Sequence, residues 1–225
     1  MKFKIFKFKE VTSTNDQAIK LIRKNKKVSG CIYAETQTNG RGTYGKKWIS
    51  QKGNFFGSIF FPLKQTYPSF DQFSLVNPII ISEIIKKFCG KKKIKLKFPN
   101  DIFLNEKKVC GILQEVININ SKKFLIIGIG LNIISSPIIK KKYQTKNIFF
   151  ETKIKTSTTE IANLLIKALI NLLTSASLFP GSVIKVICHD LDKSGIGICK
   201  FESIVIFVQG LVPGDSAEVS CTYNK

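Results

Sequence analysis

A chain of 225 residues, 44% of them hydrophobic, suits one large domain or one domain plus a small appendage, and it excludes a disordered tail. The net charge of +21 invites a polyanion such as RNA through counterion release, but lysines are spread along the whole chain, so compositional drift explains the charge equally well. Six cysteines without a C-x-x-C pair exclude a zinc ribbon, and the Lys–Phe/Ile alternation at the start lacks an apolar leader region, so free thiols in a reducing cytoplasm are expected.

Phe3, Ile5 and, after a one-residue shift, Phe6 and Phe8 read as an edge strand with lysines on its wet side. Thr14 followed by Gln17 has the form of a capping box, with Ala18, Leu21 and Ile22 as the apolar stripe of the helix. Ser13, Thr14 and Asn15 serve as caps there, and a helix N-terminus with three polar side chains also suits a polar headgroup. Cys31 to Glu35 reads as a buried strand leading through Gln37 into Gly40-Arg41-Gly42-Thr43-Tyr44-Gly45-Lys46-Lys47-Trp48. Glycines at that density let backbone N–H groups approach a ligand, and Arg41, one of only two arginines, adds a planar donor for phosphate or carboxylate. A flexible charged surface loop is the competing reading.

Phe55 to Phe61 is a second strand, and the spacing of Phe73, Val76, Ile80, Ile84 and Phe88 is helical, with Pro78 expected to start or kink the helix. Lys91 to Lys93 read as a solvated loop. A β-meander follows: Ile94 to Phe98, a turn at Pro99-Asn100-Asp101, Ile102 to Leu104, a hairpin turn at Asn105-Glu106, a return to Val116, and Phe124 to Asn132 after a turn at Ser121. The side chains of Asp101 and Lys108 converge beside one site or form an exposed cross-strand ion pair. The longest apolar run, Phe124 to Ile134, is broken by glycines and an Asn and is too short to span a bilayer, so no membrane partner is expected. Thr158-Thr159-Glu160 opens a helix with Ile161, Leu164, Leu165, Ala168, Leu169 and Leu172 on its stripe. Phe179 to Ser182 reads as a linker, followed by strands at Val183–Ile187, Ile196–Cys199, Ile204–Val208 and Ala217–Ser220.

Four blocks, in order and at compatible spacing, resemble the catalytic domain of biotin protein ligases. They are Ser13-Thr14-Asn15-Asp16; Glu35-Thr36-Gln37-Thr38-Asn39-Gly40-Arg41-Gly42 through Trp48; Lys97-Phe98-Pro99-Asn100-Asp101 through Lys108 to Leu113; and Gly128-Ile129-Gly130-Leu131-Asn132. The resemblance implies an α+β fold: a mixed, mainly antiparallel β-sheet with helices packed on one side, class II synthetase-like, over residues 1–178. A short β-rich segment would occupy residues 179–225. It implies that ATP and biotin give biotinyl-5′-AMP, with Mg²⁺ arriving on the nucleotide and no protein metal site. The biotinyl group would then pass to a lysine of the biotin carboxyl carrier domain of acetyl-CoA carboxylase or another biotin-dependent carboxylase. Arg41, Lys108 and Asp101 would be catalytic, Asp101 acting on the incoming lysine. Ser13, Thr14, Asn15, Gln37, Gly40, Arg41, Lys108, Gly111 and Leu113 would hold biotin. Gly42, Trp48 and Asn132 would hold ATP.

Three departures qualify the resemblance. Thr43 stands where the family usually has a second arginine, which predicts faster leakage of the adenylate, and Phe98 replaces a tryptophan. Family members normally end in a small β-barrel-like domain. Asp190 to Lys200, Ile206-Phe207-Val208 and Leu211 to Asp215 instead resemble the first part of a TRAM domain, an OB-like module of RNA-modifying enzymes. Nothing resembling a helix-turn-helix precedes the first block, so DNA binding is not expected. The alternatives are a lipoate-type ligase of the same fold, a basic RNA-binding protein using that tail, and a decayed ligase of low turnover.

Overall fold

Lys4–Val11 forms the first strand, β1, with Phe6 and Phe8 half-buried on one face and Ile5, Lys7 and Lys9 exposed on the other. The computed structural model describes residues 2–25, 29–65, 67–89, 93–137, 144–175, 183–201 and 204–220. The linker expected at Phe179–Ser182 and most of the Lys91–Lys93 loop lie outside them. Two units are resolved, Met1–Ile166 and Lys167–Lys225.

In the first unit, β1 leads through α1 (Thr14–Asn25) to β2 (Gly30–Gln37), which runs parallel to β1, a pairing that needs a crossover such as this helix. Then follow β3 (Phe55–Pro62), α2 (Phe70–Cys89), β4 (Ile94–Lys97), β5 (Asp101–Leu104), β6 (Lys107–Ile119) and β7 (Lys122–Leu131). They form one seven-stranded sheet, ordered β1-β2-β3-β7-β6-β5-β4 and antiparallel except for β1/β2. The expected meander is β4 to β7. Its two tight turns place Asn105 and Glu106 at φ 49° and 62°, and Asn120 and Ser121 at φ 49° and 61°, the left-handed pairs that match strand twist. Short α3 (Ile148–Thr152), absent from the sequence reading, is capped by Asn147, whose side chain accepts from Phe150 N. The helix α4 spans Thr158–Ser175, and the division between the two units falls within it, after Ile166.

The fold class is the mixed α+β one expected, but the helices take both faces of the sheet rather than one. Phe60 packs with Ala18 and Ile22 of α1, while its neighbour Phe61 meets the Phe73 ring of α2 edge-on at 5.7 Å. Successive strand residues point to opposite faces, so α1 and α2 lie on opposite sides. Tyr33, next to Ile32 of the α1 cluster, hydrogen-bonds Thr159 of α4 at 2.9 Å on the α2 side. The reason is in β3: Phe55 to Phe61 are buried without alternation, so both faces need cover. Burying Ile22 alone contributes about 1.5–3 kcal/mol.

Two local expectations are corrected. The cap of α1 is Ser13, whose Oγ accepts from Asp16 N at 3.4 Å and whose carbonyl accepts from Gln17 N at 2.9 Å; Thr14 is already helical. Pro78 does not start α2, which begins at Phe70 behind a capping box. Gln72 N donates to Ser69 Oγ at 3.3 Å, and Ser69 N donates to Gln72 Oε1 at 2.8 Å.

The second unit holds the last half of α4 and a four-stranded antiparallel sheet of β8 (Val183–Leu191), β9 (Gly197–Phe201), β10 (Ile204–Val208) and β11 (Ser216–Ser220), ordered β10-β9-β8-β11. Val186, Cys188 and Cys199 are its core, with Ile206, Val208 and Leu211 packed on them. Among the described residues no helix is long and apolar enough to cross a membrane.

Candidate active site

The α1 side of the sheet carries a cavity of about 620 Å³ whose described lining residues all belong to the first unit. Its floor begins at the N-terminus of α1, where Ser13, Thr14 and Asn15 are buried at 2%, 4% and 2% exposure. Gln37, at the end of β2, accepts from Thr14 N at 2.8 Å and from Thr14 Oγ1 at 3.2 Å, and its Nε2 donates to Ser50 Oγ at 3.0 Å. Ser58 of β3, fully buried, lies 2.8 Å from Thr14 Oγ1 and 2.5 Å from Asn15 Oδ1. Asn15 Nδ2 donates to Glu115 Oε2 at 2.6 Å and to the Leu113 carbonyl at 3.3 Å. A buried network this complete fixes the rotamers of its members and holds their free lone pairs and protons in set directions.

A row of glycines makes room for the ligand wall. Gly128 and Gly130 of β7 face the same side as Ser58, and a Cβ on Gly128 would lie 2.3 Å from Asn15 Oδ1. A Cβ on Gly130 would lie 2.3 Å from the Trp48 indole, and one on Gly111 of β6 would lie 2.6 Å from it. Trp48 therefore rests flat against bare backbone, and Trp48 N donates to the Gly40 carbonyl at 2.9 Å. The glycine loop closes on itself through Gly42 N to Lys46 O at 2.6 Å. It passes through one 3-10 turn, Thr43–Gly45, and is tied to the β4–β5 turn by Asn100 Nδ2 donating to Thr43 Oγ1 at 3.1 Å.

Lys108 reaches the cavity because of a bulge. Gly111 pairs with Asp101 and Cys110 with Ile102, but Lys108 pairs with Phe103, leaving Val109 as the extra residue. Three positions apart on a regular strand, Lys108 and Gly111 would face opposite sides; the insertion returns Lys108 to the cavity side. There its Nζ meets Asp101 Oδ1 at 2.6 Å and lies 5.5 Å from the centre of the Trp48 ring. At 11% and 15% side-chain exposure this is a sheltered pair rather than the surface pair that was the alternative, and deleting one partner leaves a charge in low dielectric.

Arg41 is held by carboxylates. Its Nη1 and Nη2 donate to the two oxygens of Glu115, each at 2.8 Å, and Nη2 also meets Asp16 Oδ1 at 2.8 Å. Burial works against the charge, but the hydrogen bond and charge of Glu115, joined by Asp16, outweigh it and raise the Arg41 pKa above its ordinary value. Among the described residues, Arg41 Nε, Trp48 Nε1 and Asn132 Oδ1 are buried without a hydrogen-bond partner, and all three residues line the cavity. Such atoms cost about 1–3 kcal/mol each unless something meets them, so they mark where a polar ligand belongs.

Of the residues singled out in the sequence, Ser13, Thr14, Asn15, Gln37, Arg41, Gly42, Trp48, Asp101, Lys108, Gly111, Leu113 and Asn132 all line this one cavity. Gly40 packs behind Trp48 and Ser50 instead of on the wall. Sequence reading missed Ser58 and Glu115. Ser58 interrupts an apolar strand, which was a usable signal, whereas nothing local marks Glu115. No group of three His, Cys, Asp or Glu able to hold a metal occurs among the described residues. Burial pushes the Cys31 thiol up to about 12, so it is a packing residue and not a nucleophile.

The model of the biotin/lipoate A/B protein ligase family matches residues 6–132. The chain belongs to that family. It is 36% identical over 124 residues to the bifunctional ligase/repressor BirA of Escherichia coli, a match covering 54% of this chain and 38% of that protein. It is 32% identical over 127 residues to the biotin--[acetyl-CoA-carboxylase] ligase of Paracoccus denitrificans, covering 56% and 52%. The chain thus spans between about a third and a half of these relatives. Among solved structures, the biotin protein ligase of Aquifex aeolicus in complex with biotin and ATP aligns at TM-score 0.65 and 25% identity, covering 97% of this chain and 99% of that one. The Leishmania major biotin protein ligase in complex with biotinyl-5-AMP aligns at TM-score 0.68 and 21% identity, covering 98% and 100%, a likeness of fold.

Proposed function

We propose that this chain is a biotin–protein ligase. Biotin's carboxylate attacks the α-phosphate of ATP, giving biotinyl-5′-AMP and pyrophosphate; the amine of a carrier-domain lysine then attacks the activated carbonyl, loses a proton and releases AMP. The observation that carries this reading is the convergence of the four sequence blocks on one cavity with a satisfied polar floor and unsatisfied polar atoms at its edge. A relative matched over the family region is named a biotin--[acetyl-CoA-carboxylase] ligase, which favours biotin over lipoate.

In this reading Ser13, Thr14, Asn15 and Gln37 meet the ureido ring, which needs a donor and acceptor set held rigid. Gly111 and Leu113 frame the apolar tail. Lys108, Arg41 and the backbone at Gly42 stabilise charge developing at the phosphate, where fixed donors count most. Trp48 offers a ring face and Asn132 Oδ1 an acceptor to the adenine amino group. Asp101 orients Lys108 and receives or positions the acceptor amine. Mg²⁺ arriving on the nucleotide would neutralise phosphate charge. The acceptor is a biotin carboxyl carrier domain, and the setting is the cytoplasm. Residues 1–178 form the ligase unit and residues 179–225 a β-rich accessory segment.

The test is mass spectrometry of a carrier domain incubated with this protein, biotin and MgATP. The reading expects one added biotinyl group, dependent on both small molecules; an unmodified carrier together with no pyrophosphate–ATP exchange rejects it.

A further inference from the structure

Glu115 has no place in the chemistry above, yet it is the residue on which the floor and the cationic end of the cavity meet. On β6 it shares a face with Gly111 and Leu113. Its carboxylate takes Arg41 end-on, Nη1 to Oε1 and Nη2 to Oε2 at 2.8 Å each, and Oε2 also receives Asn15 Nδ2 at 2.6 Å. Asp16 Oδ1 takes Nη2 at 2.8 Å. Three of the five guanidinium N–H bonds are thus spent on carboxylates, and Nε is buried without a partner.

Two arrangements of ligand follow from this clamp. In one, the ligand's acid group displaces Glu115 and Arg41 swings free. That leaves the Glu115 charge, only 26% exposed, without its counter-ion and weakens its hold on Asn15. In the other, the clamp persists. An end-on bidentate fork fixes the guanidinium plane, and the one nitrogen left over is a ready donor whose desolvation has already been met. The second needs no charge uncovered. On the ligase reading, we propose that Glu115, assisted by Asp16, is a positioning residue that holds Arg41 by its terminal nitrogens so that Nε meets the acid group of biotin.

The test is calorimetric binding of biotin and of biotinol, its neutral alcohol, to the full chain. Glu115→Ala should weaken biotin about tenfold, the size of one charge-assisted hydrogen bond, while biotinol changes less than about twofold. In an Arg41→Ala background the Glu115→Ala effect on biotin should vanish. Glu115→Gln, which keeps an oxygen for Asn15 but not the charge, should reproduce the selective loss and carries the test if Glu115→Ala does not fold. Tighter or unchanged biotin binding in Glu115→Ala would identify a competitor rather than a support and overturn the proposal. So would an equal loss for both compounds, or a loss that survives in the Arg41→Ala background. Wild-type protein that binds neither compound would instead sink the ligase reading, and this proposal with it.

Discussion

At the α1 end of the cavity Thr14, Asn15, Gln37 and Ser58 satisfy one another, whereas at the Trp48 end Trp48 Nε1 and Asn132 Oδ1 have no protein partner, and Arg41 stands between the two. A site whose polar groups are closed on themselves can discriminate a neutral headgroup by shape and direction at little reorganisation cost. One with open donors and acceptors is stabilised by its ligand, and suits the part of the reaction where charge builds up. Under the proposed ligase reaction this separates recognition from activation, and residues joining the two ends should matter most.

The largest effect is therefore expected at Arg41. Arg41→Ala should raise the barrier to adenylate formation by about 2–4 kcal/mol, read as a loss of pyrophosphate–ATP exchange; Lys108→Ala should do the same. A near-normal exchange rate would remove either residue from the activation step. The division between the ends is tested next by two glycines. Gly128→Ala pushes a methyl into Asn15 and Gly130→Ala pushes one into Trp48. At about 1–3 kcal/mol each, the first should raise the KM for biotin and the second the KM for ATP; if both raise the same constant, the two ends are one site. Thr43→Arg should lengthen retention of the adenylate about tenfold in a pulse–chase, since a planar fork would replace the neutral hydroxyl that now accepts from Asn100. The smallest expected change is Trp48→Phe. Its indole N–H has no partner, so stability should shift by less than about 1 kcal/mol, while ATP affinity falls a few-fold if the nucleotide meets that N–H.

Much of this was legible in the chain alone. Apolar runs bounded by turn residues located β2 and β3, alternation and turns located the β4–β7 meander, Asn105-Glu106 announced the tight turn between β5 and β6, and four short blocks named most of the lining residues of the cavity before it was seen. What failed were places where a neighbour outside the local window decides. Thr14 gave up the capping role because Gln37, across the loop, takes its N–H and hydroxyl. Helices occupy both faces because a strand as uniformly apolar as β3 cannot leave either face wet.

Side-chain period, turn residues and local composition were enough to set the strands, most helices and the chemical inventory of the site. Which of those side chains share a face depended on how the strands paired. A single extra residue at Val109 reverses the direction of Lys108 and delivers it to Asp101 and Trp48, and a fork from Glu115 turns Arg41 from a free cation into a clamped one. Strand side chains repeat every two residues, so one unpaired position inverts everything beyond it, and no local pattern announces where the pairing slips.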